Sequence, residues 1–165
     1  MASKIEVDEI FNAGGDNDTG IDLATNDQIL LKVANATRLT MNSTGQTTIV
    51  GEGGTTTTSL QQGLAKVWIN FEGDGTIADS DSLNVSGLTD RGTGEYTITI
   101  ANDMANATYS VTGSGTHDSG SYIAWCCISH DTGLAAGSCP TDYLDNGATA
   151  RDVELACTTI HGDLA

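Results

Sequence analysis

Four groups of residues in this 165-residue chain have the side chains for chemistry. Asp16, Asp18 and Asp22, with Asp27 further on, set alternate carboxylates around a turn, the pattern by which a loop gathers oxygens about a hard divalent cation. The glycine of a calcium loop is misplaced and no bidentate Glu closes the run, so the competing reading is an acidic Asx-type turn. Asp74, Asp79 and Asp81 form a weaker version of the same pattern. His117-Asp118-Ser119 holds the side-chain types of a hydrolase, as His130-Asp131 and His161 do in part. A triad is a spatial arrangement, however, and sequence neighbours seldom supply it. No Gly-x-Ser-x-Gly elbow, phosphate loop or paired-Glu pattern is present, so the expectation is a protein without enzymatic activity. Asp142, Tyr143, Asp145 and Asn146 make the fourth group, a ring flanked by hydrogen-bonding side chains, suited to contact with a glycan or protein surface.

Six Lys and Arg stand against 22 Asp and Glu, a formal net charge of −16. Such a field repels phosphate backbones, which excludes nucleic acid as an expected partner. No apolar run is long enough to cross a bilayer, and no basic start precedes an apolar core at the amino terminus, so neither membrane insertion nor secretion is expected. Cys126, Cys127, Cys139 and Cys157 fit no zinc spacing and read as reduced thiols, with a disulfide through Cys139 as the alternative. No cofactor is expected beyond a divalent cation at the acidic turn.

The elements that position these residues are short strands. Between Ile29 and Gly51 three brief apolar runs are separated by Asn, Ser and Gly turns, each too short to fold alone. Seven of the eight aromatic residues follow residue 63, which places the larger core in the carboxy-terminal part. Residues 51–63, rich in Gly and Thr, read as a linker or neck. Downstream, Val67, Ile69 and Phe71 share one face of a strand, and Tyr96, Ile98 and Ile100 share another, fed by a hairpin at Thr93-Gly94. Shorter strands centre on Leu83/Val85 and Tyr109/Val111. Met104–Ala107 can form a helical turn, residues 129–150 a long surface loop, and Val153–Ile160 a last strand. Residues 122–128 are apolar on both faces, which places them centrally or against a neighbouring subunit. Trp68 and Trp125 are assigned to core or subunit packing. The fold class expected is all-β, with a short amino-terminal β segment (1–50) and a carboxy-terminal antiparallel β-sandwich (64–165).

The Ile29–Gly51 segment resembles the pre-tip segments of bacteriophage tail fibres. Lys66-Val67-Trp68-Ile69-Asn70-Phe71, the stretch from Asn84-Val85-Ser86 through Gly92-Thr93-Gly94-Glu95-Tyr96-Thr97, and Met104-Ala105-Asn106-Ala107-Thr108-Tyr109-Ser110-Val111 are similar to the recurrent tip domain of tail fibres from marine and other phages. The segment from Ser129 to Ala150 follows no pattern of that family. The resemblance implies a homotrimeric virion appendage that binds other phage virion proteins and a host-surface glycan or protein. Residues 1–50 would then dock to the virion or intertwine three chains, with Ile5, Val7, Ile10 and Phe11 as docking side chains. A capsid decoration or head-fibre protein built from the same modules is the alternative.

Overall fold

A computed structural model describes residues 6–12, 18–25, 27–51, 53–116 and 123–165. The chain is all-β and divides between Gly63 and Leu64 into two compact units.

The amino-terminal unit is a six-stranded antiparallel meander in chain order: β1 (Glu9–Phe11), β2 (Gly20–Asp22), β3 (Ile29–Val33), β4 (Ala36–Met41), β5 (Thr47–Val50) and β6 (Thr57–Ser59). The hairpin between β3 and β4 turns on Ala34 and Asn35, both with positive φ (54° and 56°), as a two-residue turn matched to strand twist demands. Between β4 and β5 the Asn42 carboxamide oxygen accepts the amides of Thr44 (3.2 Å) and Gln46 (2.9 Å), an Asx turn that fixes the register. The segment expected as a linker is part of this unit. It supplies β6 and a single helical turn, α1 (Leu60–Gly63), whose Gln61 accepts the Thr47 amide at 3.0 Å and donates to the Gly45 carbonyl at 2.9 Å. Its Thr content concealed a strand that is polar on both faces.

The carboxy-terminal unit is one eight-stranded antiparallel sheet in the order β8-β7-β14-β11-β12-β13-β10-β9. The strands are β7 (Ala65–Glu72), β8 (Ala78–Leu83), β9 (Val85–Gly92), β10 (Glu95–Ile100), β11 (Ser110–Thr116), β12 (Ile123–Ile128), β13 (Ser138–Leu144) and β14 (Leu155–His161). The two strands at the ends of this order, β8 and β9, are consecutive in sequence and meet at Asn84 (φ 59°), so the sheet curls into a barrel-like form. The expected sandwich of two packed sheets is thus one rolled sheet. Alternation defines which face of a strand is buried, and it does not define which edge each strand pairs with.

Val67, Ile69, Phe71, Tyr96, Ile98 and Ile160 fill the interior and are essentially inaccessible to solvent. Phe71, Tyr96 and Tyr143 meet edge to face, with centroids 5.0–5.9 Å apart, the arrangement ring quadrupoles favour. Three differences from the sequence reading concern this unit. Residues 129–150 contain β13, with Cys139, Thr141 and Tyr143 directed inward; Pro, Thr and Asp in the strand mask its alternation. Met104–Ala107 forms no helix: Met104 is buried and bridges to Leu164, and its amide donates to the Ala136 carbonyl at 2.9 Å. The Leu83/Val85 run is broken at Asn84 into the end of β8 and the start of β9.

Candidate functional site

Cross-strand register assembles one continuous feature in the amino-terminal unit. Ile10 lies opposite Ile21, Ile21 opposite Leu31, Leu31 opposite Leu39 and Leu39 opposite Ile49, so five strands contribute one aliphatic row on a single face. Ile29 opposite Met41, and Val33 opposite Ala36, widen it. Ile10 (51%), Val33 (50%), Ile29 (43%), Met41 (42%) and Leu31 (39%) are exposed in the single chain. Among the described residues of this unit only Asp22 and Thr47 are buried, so the sheet has an apolar face and no apolar interior. A shallow depression lined by Leu23, Asp27, Gln28, Ile29, Met41 and Asn42 extends the face at one end, where it carries the Asp27 carboxylate.

The opposite face is polar. Its central row runs Glu9, Asp22, Leu30, Thr40, Thr48 and Ser59. Lys32 pairs with Asp22 and reaches Glu9 at 3.9 Å. The hydrogen bond from Lys32, reinforced by the Ala24 amide at 2.9 Å, holds the Asp22 carboxyl below its ordinary range. The same bond, accepted by Asp22, raises the Lys32 ammonium above its own. One face thus carries the Lys32–Asp22–Glu9 cluster beside Leu30 and Phe11, and the other carries the aliphatic row.

The sequence-predicted docking residues divide between these faces. Ile10 belongs to the aliphatic row, Phe11 lies across from Gly20 on the polar face, and Val7 is exposed ahead of β1. Ile5 lies outside the described residues. The chemical signal for the other eight apolar residues was present as short apolar runs, and only the register reveals that they form one surface.

The predicted recognition cluster is corrected. Tyr143 is a core residue of β13, not an exposed loop ring: its hydroxyl meets the Thr158 hydroxyl at 2.8 Å and donates to the Cys157 carbonyl at 3.2 Å. Asp142 is half-buried and accepts from Arg91 at 2.9 Å. Asp145 accepts the amides of Thr149 (2.9 Å) and Gly147 (2.8 Å) and the Arg151 guanidinium (3.0 Å); these bonds, the Thr149 amide first, hold its carboxyl below the ordinary range. Both carboxylates are thereby committed to the fold. Asn146 alone of the four is exposed, in the turn after β13.

No family model, curated protein or solved structure matches this chain.

The candidate chemical groups are also separated. Asp16 and His117-Asp118-Ser119 lie outside the described residues. Asp22 faces Lys32, and Asp18 accepts the Thr19 hydroxyl at 3.1 Å. Asp79 accepts from the Ser82 hydroxyl at 2.7 Å, and Asp81 from the Ser82 amide at 2.9 Å. His130 and Asp131 touch at 3.2 Å on a fully solvated turn. Among the described residues no three His, Cys, Asp or Glu side chains converge. The cysteines are free thiols, Cys139 buried and Cys157 exposed. Burial pushes the Cys139 thiol up to about 12 and raises that of Cys126 as well.

Trp68 is half-buried, whereas Trp125 is 65% exposed on the outer face of β12. Of the two placements open to residues 122–128 in sequence, the interior takes only Ala124 and, in part, Cys126 from the described ones.

Proposed function

We propose that this chain is a non-enzymatic structural protein of a bacteriophage virion, a tail-fibre-type appendage that acts as an assembly of copies. The observation that carries the reading is the uncovered aliphatic row Ile10–Ile21–Leu31–Leu39–Ile49. A one-layer sheet without an interior is marginal in water, and another layer over its apolar face supplies what it lacks. Copies of the same sheet fit that role, because the row carries no charge that would be stranded on burial. The resemblance to tail fibres supports three copies, and the rolled carboxy-terminal unit, which has its own core, is the part available to a host surface. Several weak contacts on one assembly would gain avidity through effective concentration.

Immunogold electron microscopy of intact virions with antibody against residues 64–165 tests the placement. Gold on the tail is the expected result. Gold across the capsid would assign the chain as a decoration or head-fibre protein, and virions without label would overturn the virion reading.

A further inference from the structure

We infer that Asn146 is a self-modification site, able to lose its side-chain amide to the chain's own backbone, and that the Asp145 carboxylate holds this reaction in check while the turn after β13 is closed. Of the ten asparagines only Asn146 is followed by glycine. That neighbour matters because the nucleophile is the next residue's backbone nitrogen, and glycine has no side chain to shield it or restrict its approach. Asn146 is exposed, so its carboxamide is open to water. Asn42, in a turn of the amino-terminal unit, differs on both counts: Ser43 follows it, and its carboxamide oxygen is engaged by the Thr44 and Gln46 amides.

The reaction needs only water. The Gly147 nitrogen gives up its proton and bonds to the side-chain carbonyl carbon of Asn146, while the carboxamide nitrogen takes a proton, breaks from that carbon and leaves as ammonia. Water then opens the cyclic imide at either of its carbonyls, leaving aspartate or isoaspartate at position 146. The net exchange is water in and ammonia out, with nothing oxidised or reduced. In the closed turn the attacking nitrogen is committed elsewhere. The Gly147 N–H donates to the Asp145 carboxylate at 2.8 Å, beside the Thr149 N–H at 2.9 Å, and the Ala148 N–H donates to the Asp145 carbonyl at 3.0 Å. An N–H bonded to an anion is harder to deprotonate, since the charge that develops on nitrogen faces a carboxylate. The Asp145 amide donates to the Thr149 carbonyl at 2.9 Å, and Arg151 holds the second carboxylate oxygen at 3.0 Å, so the catch is itself fixed in place. Attack on Asn146 requires release of the Gly147 bond and therefore proceeds through local opening of the turn. Isoaspartate would lengthen the main chain inside the loop that Asp145 and Thr149 close, and either product sets a second carboxylate beside Asp145.

Peptide mass spectrometry of the full chain, aged at mild alkaline pH, tests this by reading exchange of the amide for a hydroxyl at residue 146. In the folded chain conversion of Asn146 should run severalfold slower than in the same chain unfolded in urea, where it should be the fastest of the asparagines. Asp145→Ala, which removes the acceptor, should bring the folded rate close to the unfolded one. Equal rates in folded and unfolded wild type overturn the inference, as does a folded Asp145→Ala chain that converts no faster than wild type. Another asparagine converting ahead of Asn146 in urea overturns the site itself. Should Asp145→Ala not fold, hydrogen exchange of the Gly147 amide in folded wild type decides the matter: protection supports the catch, and exchange at the unfolded-chain rate overturns it.

Discussion

Leu31→Asp is the most direct perturbation of the aliphatic row. Leu31 sits at its centre, between Ile21 and Leu39, and is 39% exposed in the single chain. Full burial of a leucine side chain contributes about 1.5–3 kcal/mol, so covering the remaining two-fifths contributes about 0.6–1.2 kcal/mol. A carboxylate in its place would be enclosed among Ile21, Leu39 and the covering layer, with uncharged cross-strand neighbours on both sides, and such a stranded charge costs several kcal/mol. The sum is about 3–5 kcal/mol per chain, which weakens association by roughly 10²–10⁴-fold. Thr40→Asp is the control, since it adds the same charge to the neighbouring strand on the polar face, where an effect within about 0.5 kcal/mol is expected. Sedimentation velocity across a dilution series reads the dissociation midpoint, and circular dichroism follows the strands. Equal midpoints for the two variants, or a wild-type chain that is monomeric throughout, would refute the reasoning.

Other consequences follow from the interior and its ionisable groups. Tyr143→Phe removes the bonds to Thr158 and Cys157 and should lower stability by about 1–3 kcal/mol. Tyr143→Ala, which opens a cavity beside Phe71 and Tyr96, should cost about 3–5 kcal/mol in urea titrations; an unchanged midpoint would restore the ring to a surface role. Asp22 and Asp145 have folded-state pKa values below the ordinary 3.8, so the stability they contribute is present above that value and declines as pH falls through the lowered ones. Asp145→Asn should flatten that acid limb, and an identical pH profile would contradict the Thr149 and Arg151 bonds. Iodoacetamide at mild alkaline pH should modify exposed Cys157 and spare Cys139, as read by mass spectrometry. Thermal unfolding should show two transitions, with only that of the amino-terminal sheet moving with protein concentration.

Legibility in sequence followed burial pattern. The strands β7 and β10 and the hairpin at Thr93-Gly94 were readable because Val67, Ile69, Phe71, Tyr96, Ile98 and Ile100 alternate with polar residues, and one face is truly buried. The inward set of β13 is Cys139, Thr141 and Tyr143, and between them stand Pro140, itself buried, and the half-buried Asp142, so a strand of the rolled sheet has the composition of a loop. That single misreading moved Tyr143 from the core to the surface and created the predicted recognition site. The aliphatic row of the amino-terminal sheet was half visible: the strand runs were evident from Ile29 to Gly51, but which residues share a face depends on the register, including the irregularity between Leu31 and Lys32. The roll of the larger sheet depends on long-range pairing, such as β14 between β7 and β11, which local alternation does not encode.

The exposed apolar residues of the two units differ in what they demand. In the carboxy-terminal unit Trp125 lies outside a complete interior, so that unit holds its form with the ring open to solvent. In the amino-terminal unit the aliphatic row is the largest apolar feature and there is no apolar interior, so on the proposed reading folding and association would be one process. Net acidity sharpens the contrast. Repulsion between copies opposes indiscriminate stacking of exposed sheets, so the contact proposed above falls on a row without charge, centred on Leu31. On the proposed appendage reading, the amino-terminal sheet, without an apolar interior, is the part that assembles, and the barrel-like unit, with its own core, is the part that meets what lies outside.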